Sequence, residues 1–332
     1  MIRILHFTAS GVTSLDQASP ALKEALQTRS GVVWVDMQAE PDANCLPLLR
    51  DIFAFNPLAI EDALLQSHIP KIDNWQDYIY LVLHTVDPTL DVKDEINTLE
   101  LDVFFGRRYI VTHHDLPIPA LEAIWQRFGS GAHQLKPASA DYLLYQLSAQ
   151  IAGDYLRFVD ALDELADGLQ DQILDDGRQQ QLGLTKELFT LKRQLLLLRR
   201  IIAPQREVYD KLARDTYSLV ETRDRMLFSD IYDHYFRLHN LVENLRDLVS
   251  GVVDIYLSVV NNRMNNIIKV LTIITTIMMP ISFITSFFGM NFFLPREPVH
   301  QLMEMPIFLG MLSLILILPA SMLLWFKRRG WL

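Results

Sequence analysis

The sequence predicts an α+β domain, built as a mixed sheet with flanking helices, followed by a long stalk helix and two C-terminal transmembrane helices. Three observations carry this prediction. Short apolar runs alternate with turn residues up to about residue 135, and from Asp141 onward apolar residues recur only at helical spacing. Two stretches, 270–295 and 305–326, contain no charged residue at all. Each exceeds the roughly 20 residues that cross about 30 Å of hydrocarbon as a helix. Two such runs in tandem read as membrane spans rather than core helices.

Within residues 1–140, segments 32–35, 78–83, 101–105 and 109–112 are rich in β-branched and aromatic residues and read as strands. The last two flank the turn Gly106-Arg107-Arg108. Segments 46–53 and 58–65 read as helices, the second opened by Asn56 with Pro57 at its first position. His113-His114-Asp115 follows a strand and reads as a turn, although its side chains are types that bind zinc. Residues 141–223 form a helical hairpin region. Leu156, Val159, Leu162, Leu165, Leu169 and Ile173 make one apolar stripe, and Asp175-Asp176-Gly177 ends that helix. Leu188, Leu191, Leu195 and Leu198 make the stripe of a return helix starting near Leu184. Residues 224–291 read as one stalk helix that continues into a first span at about 268–290 and is close to 100 Å long at 1.5 Å per residue. A loop at 292–304, a second span at 305–326 and a basic tail at 327–332 complete the chain.

Charge sets the expected topology. Arg263 and Lys269 precede the first span and Lys327-Arg328-Arg329 follow the second, whereas the loop between them holds only Arg296 against Glu297 and Glu304. Positive charge stays on the side of synthesis, so both termini are expected in the cytoplasm of a multi-pass inner-membrane protein. The first residues are too short an apolar stretch for a secretory leader. Cys45 stands alone, which excludes an intrachain disulfide and a thiolate metal cluster. A net charge of −10 argues against a nucleic-acid partner. No phosphate-cradling glycine loop, HExxH or supported nucleophile is present, so neither an enzyme nor a nucleotide-driven pump is expected.

Two spans enclose no aqueous path by themselves, so conduction requires several copies around an axis. One helix should then carry a continuous polar face. Asp254, Ser258, Asn261 and Asn265 are spaced by four, three and four; the face continues through Ile268 and Thr272 or Thr275 to Met279, Ser282 and Ser286. Amides and hydroxyls accept hydrogen bonds from the water shell of a hydrated divalent ion, and magnesium sheds that shell reluctantly. Apolar rings at Ile268, Leu271 and Met279 fit gates that close by dewetting. Small hydroxyl residues also let membrane helices pack closely, and the stripe alone does not separate the two uses.

Gly289-Met290-Asn291 closes the first span, with one more span before the chain's basic tail. By this tripeptide in this position the chain resembles the CorA family of two-span magnesium channels, whose signature it matches. The likeness extends through residues 57–62, 141–145, 230–234, Arg246-Asp247, 254–258 and 269–274 to the C-terminal Trp331-Leu332. It implies a funnel-shaped homopentamer whose first span lines the pore. In that assembly Asn291 presents its amide oxygen to hydrated Mg2+ at the outer mouth, and Gly289 lets the backbone turn. The resemblance also implies a regulatory Mg2+ site between subunits on Asp62 and Asp230, with Glu61 beside Asp62. Facing carboxylates repel unless a dication bridges them, so falling magnesium would release the subunits. Two departures stand out. The signature runs into Phe292-Phe293-Leu294-Pro295-Arg296-Glu297 rather than a more acidic loop, and Ala149 replaces an acid that some relatives place at a second site. Met290 favours magnesium, with cobalt or nickel as further cargo, over ZntB-like zinc transport. A membrane-anchored metal sensor that does not conduct is the alternative of another class.

Overall fold

The computed structural model describes residues 1–331 apart from 16–19, 28–30, 66–68, 88–90, 93–95, 97, 130–138, 176–180, 215–216, 218, 222 and 290–300. Two compact units emerge, Met1–Val253 and Asp254–Leu332.

The first unit is organised by a seven-stranded mixed sheet in the order β2-β1-β3-β7-β6-β5-β4. Its strands are β1 (Ile2–Phe7), β2 (Val12–Leu15), β3 (Val32–Gln38), β4 (Lys71–Asn74), β5 (Tyr78–Thr85), β6 (Leu99–Gly106) and β7 (Tyr109–His114). Only β3 and β7 pair in parallel; the other neighbours are antiparallel. The four strands expected from sequence are the central ones, and β5 is buried along its whole length. Buried on both faces, such strands read as continuous apolar runs, which is why composition finds them.

The edge elements were not expected. β2 and β4 are four residues long and partly exposed, so their sequences carry little apolar signal. β1 reads as a short apolar start and takes its place by pairing with β3 from Ile2↔Met37 to Phe7↔Val32. The helices α1 (Pro20–Gln27) and α4 (Pro119–Gly129) were likewise missed. Segment 46–53 is corrected in kind: α2 (Asp42–Leu46) gives way to a π-helical stretch, Pro47–Ile52. Pro47 has no N–H to continue the α pattern, and the wider turn closes with Phe53 N–H donating to Leu48 O at 3.1 Å. α3 (Pro57–Leu64) starts as expected, with Asn56 Oδ1 accepting from Leu58 N–H at 2.9 Å. A cap of this kind stabilises by about 1 kcal/mol.

His113 and His114 are also corrected. They end β7 and are buried rather than forming a turn. His114 Nε2 lies 3.2 Å from Asp36 Oδ1, and His113 Nδ1 lies 3.7 Å from Asp102 Oδ2 on the opposite face. Each histidine faces a carboxylate on a neighbouring strand. Among the described residues neither joins a cluster of three metal-ligating side chains.

Helices cover both faces of the sheet. Phe55 stacks on Phe104 with ring centroids 4.2 Å apart on one side, and Trp125 of α4 meets Trp34 edge-on at 4.8 Å on the other. The helical region consists of α5 (Ala140–Asp175), α6 (Gln181–Arg214) and the first part of α7 (Arg225–Gly289). In α5 the stripe is as expected except at two positions: Tyr155 and Ala166 are buried where Leu156 and Leu165 are only half-buried. α6 runs through Pro204, and Gln205 beside it bonds both backbone groups of His84, accepting at 2.8 Å and donating at 3.1 Å. Phe228, Ile231, Tyr235, Leu238, Val242, Leu245, Val249 and Val252 are buried at alternating spacings of three and four. This is one helix face, and Tyr235 stacks on Tyr209 of α6 at 5.0 Å.

The second unit contains the rest of α7 and α8 (Gln301–Arg328). Both are long and apolar enough to cross a membrane. α8 starts four residues before its uncharged run because Gln301, Leu302, Met303 and Glu304 are all good helix formers. It ends in a glycine cap: Gly330 has φ of 71°, and Trp331 N–H donates to Phe326 O at 3.0 Å.

Candidate functional site

α7 is continuous from Arg225 to Gly289, so the polar positions named above share one helix. Pro280 lies within it, and prolines are tolerated in membrane helices. Among the described residues of its membrane part, Ile273 and Ile284 are the buried ones. At about 100° per residue, Ile273, Ile277, Pro280 and Ile284 fall within about 60° of one another. Ile268, Leu271, Thr275, Met279, Ser282 and Ser286 lie on the opposite side of the helix. α8 is the only other described helix in this unit, and the stripe from Leu271 to Ser286 is exposed, while at its other end the residues after α8 come beside Asn265 and Ile268. Ile268, Leu271 and Met279 are 53%, 62% and 69% exposed. Asp254, Ser258, Asn261 and Asn265 are exposed as well.

The hydroxyls on this helix have a defined polarity. Thr272 Oγ1 donates to Ile268 O at 2.8 Å, and Thr275 Oγ1 donates to Leu271 O at 2.9 Å. Thr276 and Thr285 bond the preceding turn in the same way. Each O–H is thus satisfied without a partner helix, as hydrocarbon requires. Only acceptor lone pairs remain to face outward, and an acceptor is what the outward-pointing protons of cation-bound water need.

Aromatic and basic groups gather where the tail returns. Lys269 Nζ donates to Gly330 O at 3.4 Å, Trp331 stacks on Phe326 at 5.5 Å, and Arg329 lies over the Trp325 ring at 5.5 Å. Asn265, Ile268, Lys269 and Thr272 line a cleft with Arg329, Gly330 and Trp331. Such a belt marks a membrane–water boundary. The signature tripeptide is divided: Gly289 is the last residue of α7, while Met290, Asn291 and residues 292–300 of the loop lie outside the described residues.

The proposed regulatory acids lie in the first unit. Glu61 is exposed, and Asp62 sits in the last turn of α3. Lys71 Nζ reaches Asp62 Oδ2 at 2.5 Å and Asp73 Oδ2 at 3.3 Å. Partial burial pulls the Lys71 pKa down, but the bonds to Asp62 and Asp73 outweigh it and hold the ammonium above its ordinary value. Asp230, near the start of α7, accepts from Tyr145 Oη at 3.1 Å and lies 3.7 Å from His234 Nε2. Burial first, and then this bond to Asp230, raise the Tyr145 phenol pKa. Among the described residues no three metal-ligating side chains converge within one chain. Lys71, Tyr145 and His234 were not singled out from sequence. The helical spacing of Asp230 and His234 was a usable signal; the approach of Lys71 was not, because it depends on how β4 lies against α3.

The description CorA-like Mg2+ transporter protein matches residues 29–328. YfjQ of Bacillus subtilis is 32% identical over 303 residues, covering 90% of this chain and 89% of that protein. The cobalt/magnesium transport protein CorA of Thermotoga maritima is 30% identical over 302 residues, covering 90% and 83%. The solved structure of the CorA magnesium transporter from Methanocaldococcus jannaschii superimposes with a TM-score of 0.83 at 21% identity, covering 100% of this chain and 99% of that one. With the sheet domain, the unbroken α7 and the paired apolar helices in place, the match over nine-tenths of its length makes this chain a member of the CorA-like Mg2+ transporter family.

Proposed function

We propose that five copies of this chain surround an axis in the cell membrane and conduct hydrated Mg2+ inward, with Co2+ or Ni2+ as further cargo. At the level of the family, the chain is a divalent metal ion transporter and not an enzyme. The observation that carries the finer reading is the open stripe on α7, opposite the face that α8 covers. A lone helix pair exposing acceptor hydroxyls and amides along one side has no use for them in lipid. Around an axis, the same side becomes a water-filled lining. Gly289 ends the lining helix, and Met290 and Asn291 follow at the outer mouth, where the Asn291 amide oxygen meets the ion's water shell. Ser282, Thr275 and Asn265 offer acceptors along the path, and Met279, Leu271 and Ile268 form its dry constrictions. Asp254 adds negative charge in the stalk. The termini lie in the cytoplasm, and the inside-negative potential drives entry by about 2.3 kcal/mol per charge per 100 mV.

Mg2+ also acts as the gate's ligand, held between subunits by Asp62 and Asp230 with Glu61 nearby. Asp62 already has a cation at contact distance, the Lys71 ammonium, so the chemistry at this carboxylate suits a positive ligand. Flux into proteoliposomes, comparing Mg2+, Co2+, Ni2+ and Zn2+ with and without a proton gradient, tests the proposal. Saturable Mg2+ entry that needs no proton gradient is expected. Zinc entry that requires the gradient, without Mg2+ entry, would overturn the choice of ion. No flux of any of the four ions would overturn conduction itself.

A further inference from the structure

Asp62 occupies an awkward position for a carboxylate. It lies in the last turn of α3, where the free carbonyls of the helix end already carry partial negative charge. Glu61 adjoins it, and Asp73 lies close enough to share the same ammonium. The site therefore favours a nearby cation. Lys71, the first residue of β4, supplies one from within the chain: its Nζ is 2.5 Å from Asp62 Oδ2. It also has a second resting place. Asp73 Oδ2 is 3.3 Å away, and the ammonium lies 5.4 Å from the centroid of the Tyr80 ring, within cation–π range.

We propose that Lys71 is a tethered competitor of the regulatory cation: it neutralises Asp62 when divalent metal is scarce and swings to Asp73 and the Tyr80 face when metal binds. The proposal rests on the reading of Asp62 as a regulatory metal ligand. A tethered ammonium acts at a local concentration fixed by its short stem, on the order of millimolar or more. A free monovalent ion brings the same single charge and gains nothing by exchange. A dication brings twice the charge and bridges to a second carboxylate, so it displaces the lysine. Lys71 thus sets two properties of the sensor. It raises the divalent concentration needed for closure, and it screens the site from potassium and sodium. Because Asp62 and Lys71 are both partly exposed, the competition is modest, as for other solvent-accessible pairs.

A lysine on an edge strand also keeps sheets from pairing edge to edge. That role is indifferent to Asp62, and a double-mutant cycle separates the two. The full-length protein in detergent is titrated with MgCl2, and protection of its cytosolic part against chymotrypsin gives a midpoint for the parent, Lys71→Met, Asp62→Asn and the double variant. Lys71→Met keeps the apolar stem, and Lys71→Gln serves as a second test should the first lose its fold. We expect Lys71→Met to lower the midpoint three- to ten-fold and to make it sensitive to added KCl. Asp62→Asn should raise the midpoint, and the double variant should match Asp62→Asn. An unchanged or higher midpoint in both Lys71 variants overturns the competitor, as does a double variant that still shifts downward from Asp62→Asn. If Asp62→Asn leaves the midpoint where it was, the regulatory reading of Asp62 fails instead.

Discussion

The sheet domain and the span of α7 solve the problem of polar groups in opposite ways. In the sheet domain, buried charge is met inside the chain: Asp36 is held by Arg3 at 2.8 Å and by His114 at 3.2 Å, and Asp102 accepts from Tyr80 Oη at 2.6 Å. Opposing bonds and charges from His114, Thr112 and Arg3 outweigh burial at Asp36 and keep its pKa below the usual carboxylate range. Between Asn261 and Ile268, by contrast, α7 is exposed on every side within one chain. Its amides and apolar side chains are left without cover by the rest of the chain. The first region is therefore a complete fold, and the second is, on the proposed reading, one stave of a larger wall.

Four tests probe this contrast, beginning with the largest effect. Asn291→Ala should reduce Mg2+ uptake by proteoliposomes to background while the oligomer, sized by light scattering, stays intact; normal flux would sink the pore-mouth assignment. Trp34→Ala should act only on the complete fold. Trp34 is fully buried, meets Trp125 edge-on and donates from Nε1 to Thr112 at 3.1 Å. Its removal should cost about 3–5 kcal/mol in thermal or denaturant unfolding.

The third substitution concerns pH. Burial first, then the charge of Asp224, push the Asp141 carboxyl up to about 7 at the start of α5. Its folded pKa lies above the unfolded value, so its contribution to stability falls as pH rises from about 4 through 7. Asp141→Asn escapes that loss. It should stabilise the protein by on the order of 1–3 kcal/mol at pH 8 and by nothing at pH 4. Equal gains at both pH values would refute the titration. The fourth is a matched pair within the span. Ile273→Ala removes a side chain buried in the single chain and should lower thermal stability by about 1–3 kcal/mol with little change in ion selectivity. Met279→Ala should leave stability within about 0.5 kcal/mol and raise basal flux, because that side chain faces the open side. The reverse pattern would place the lining on the wrong face.

Legibility in the sequence followed the same divide. The central strands were readable as continuous apolar runs, α3 by its cap, the hairpin by its apolar stripes and α7 by the lack of a proline before Pro280. The edge strands β2 and β4 were not, since four half-exposed residues carry no such pattern. His113 and His114 were misread as a turn because polar residues after a strand usually mark its end. Here β7 continues two residues further, with Asp36 bonded to the His114 ring at 3.2 Å and Asp102 facing the His113 ring at 3.7 Å from the neighbouring strands. The stripe on α7 was visible as spacing, but its opposition to the buried face was not, because that depends on where α8 lies.

By itself the sequence determined the class of protein: two long uncharged runs dictate membrane helices. Hydrocarbon enforces this without reference to neighbours, since every backbone polar group must be satisfied within its own helix. Only the tertiary structure decided which side of α7 stays open, that two histidines belong to a buried strand, and that a lysine nine positions beyond Asp62 occupies its carboxylate. Those are contacts between segments distant or irregular in sequence, and no periodicity records the path by which they meet.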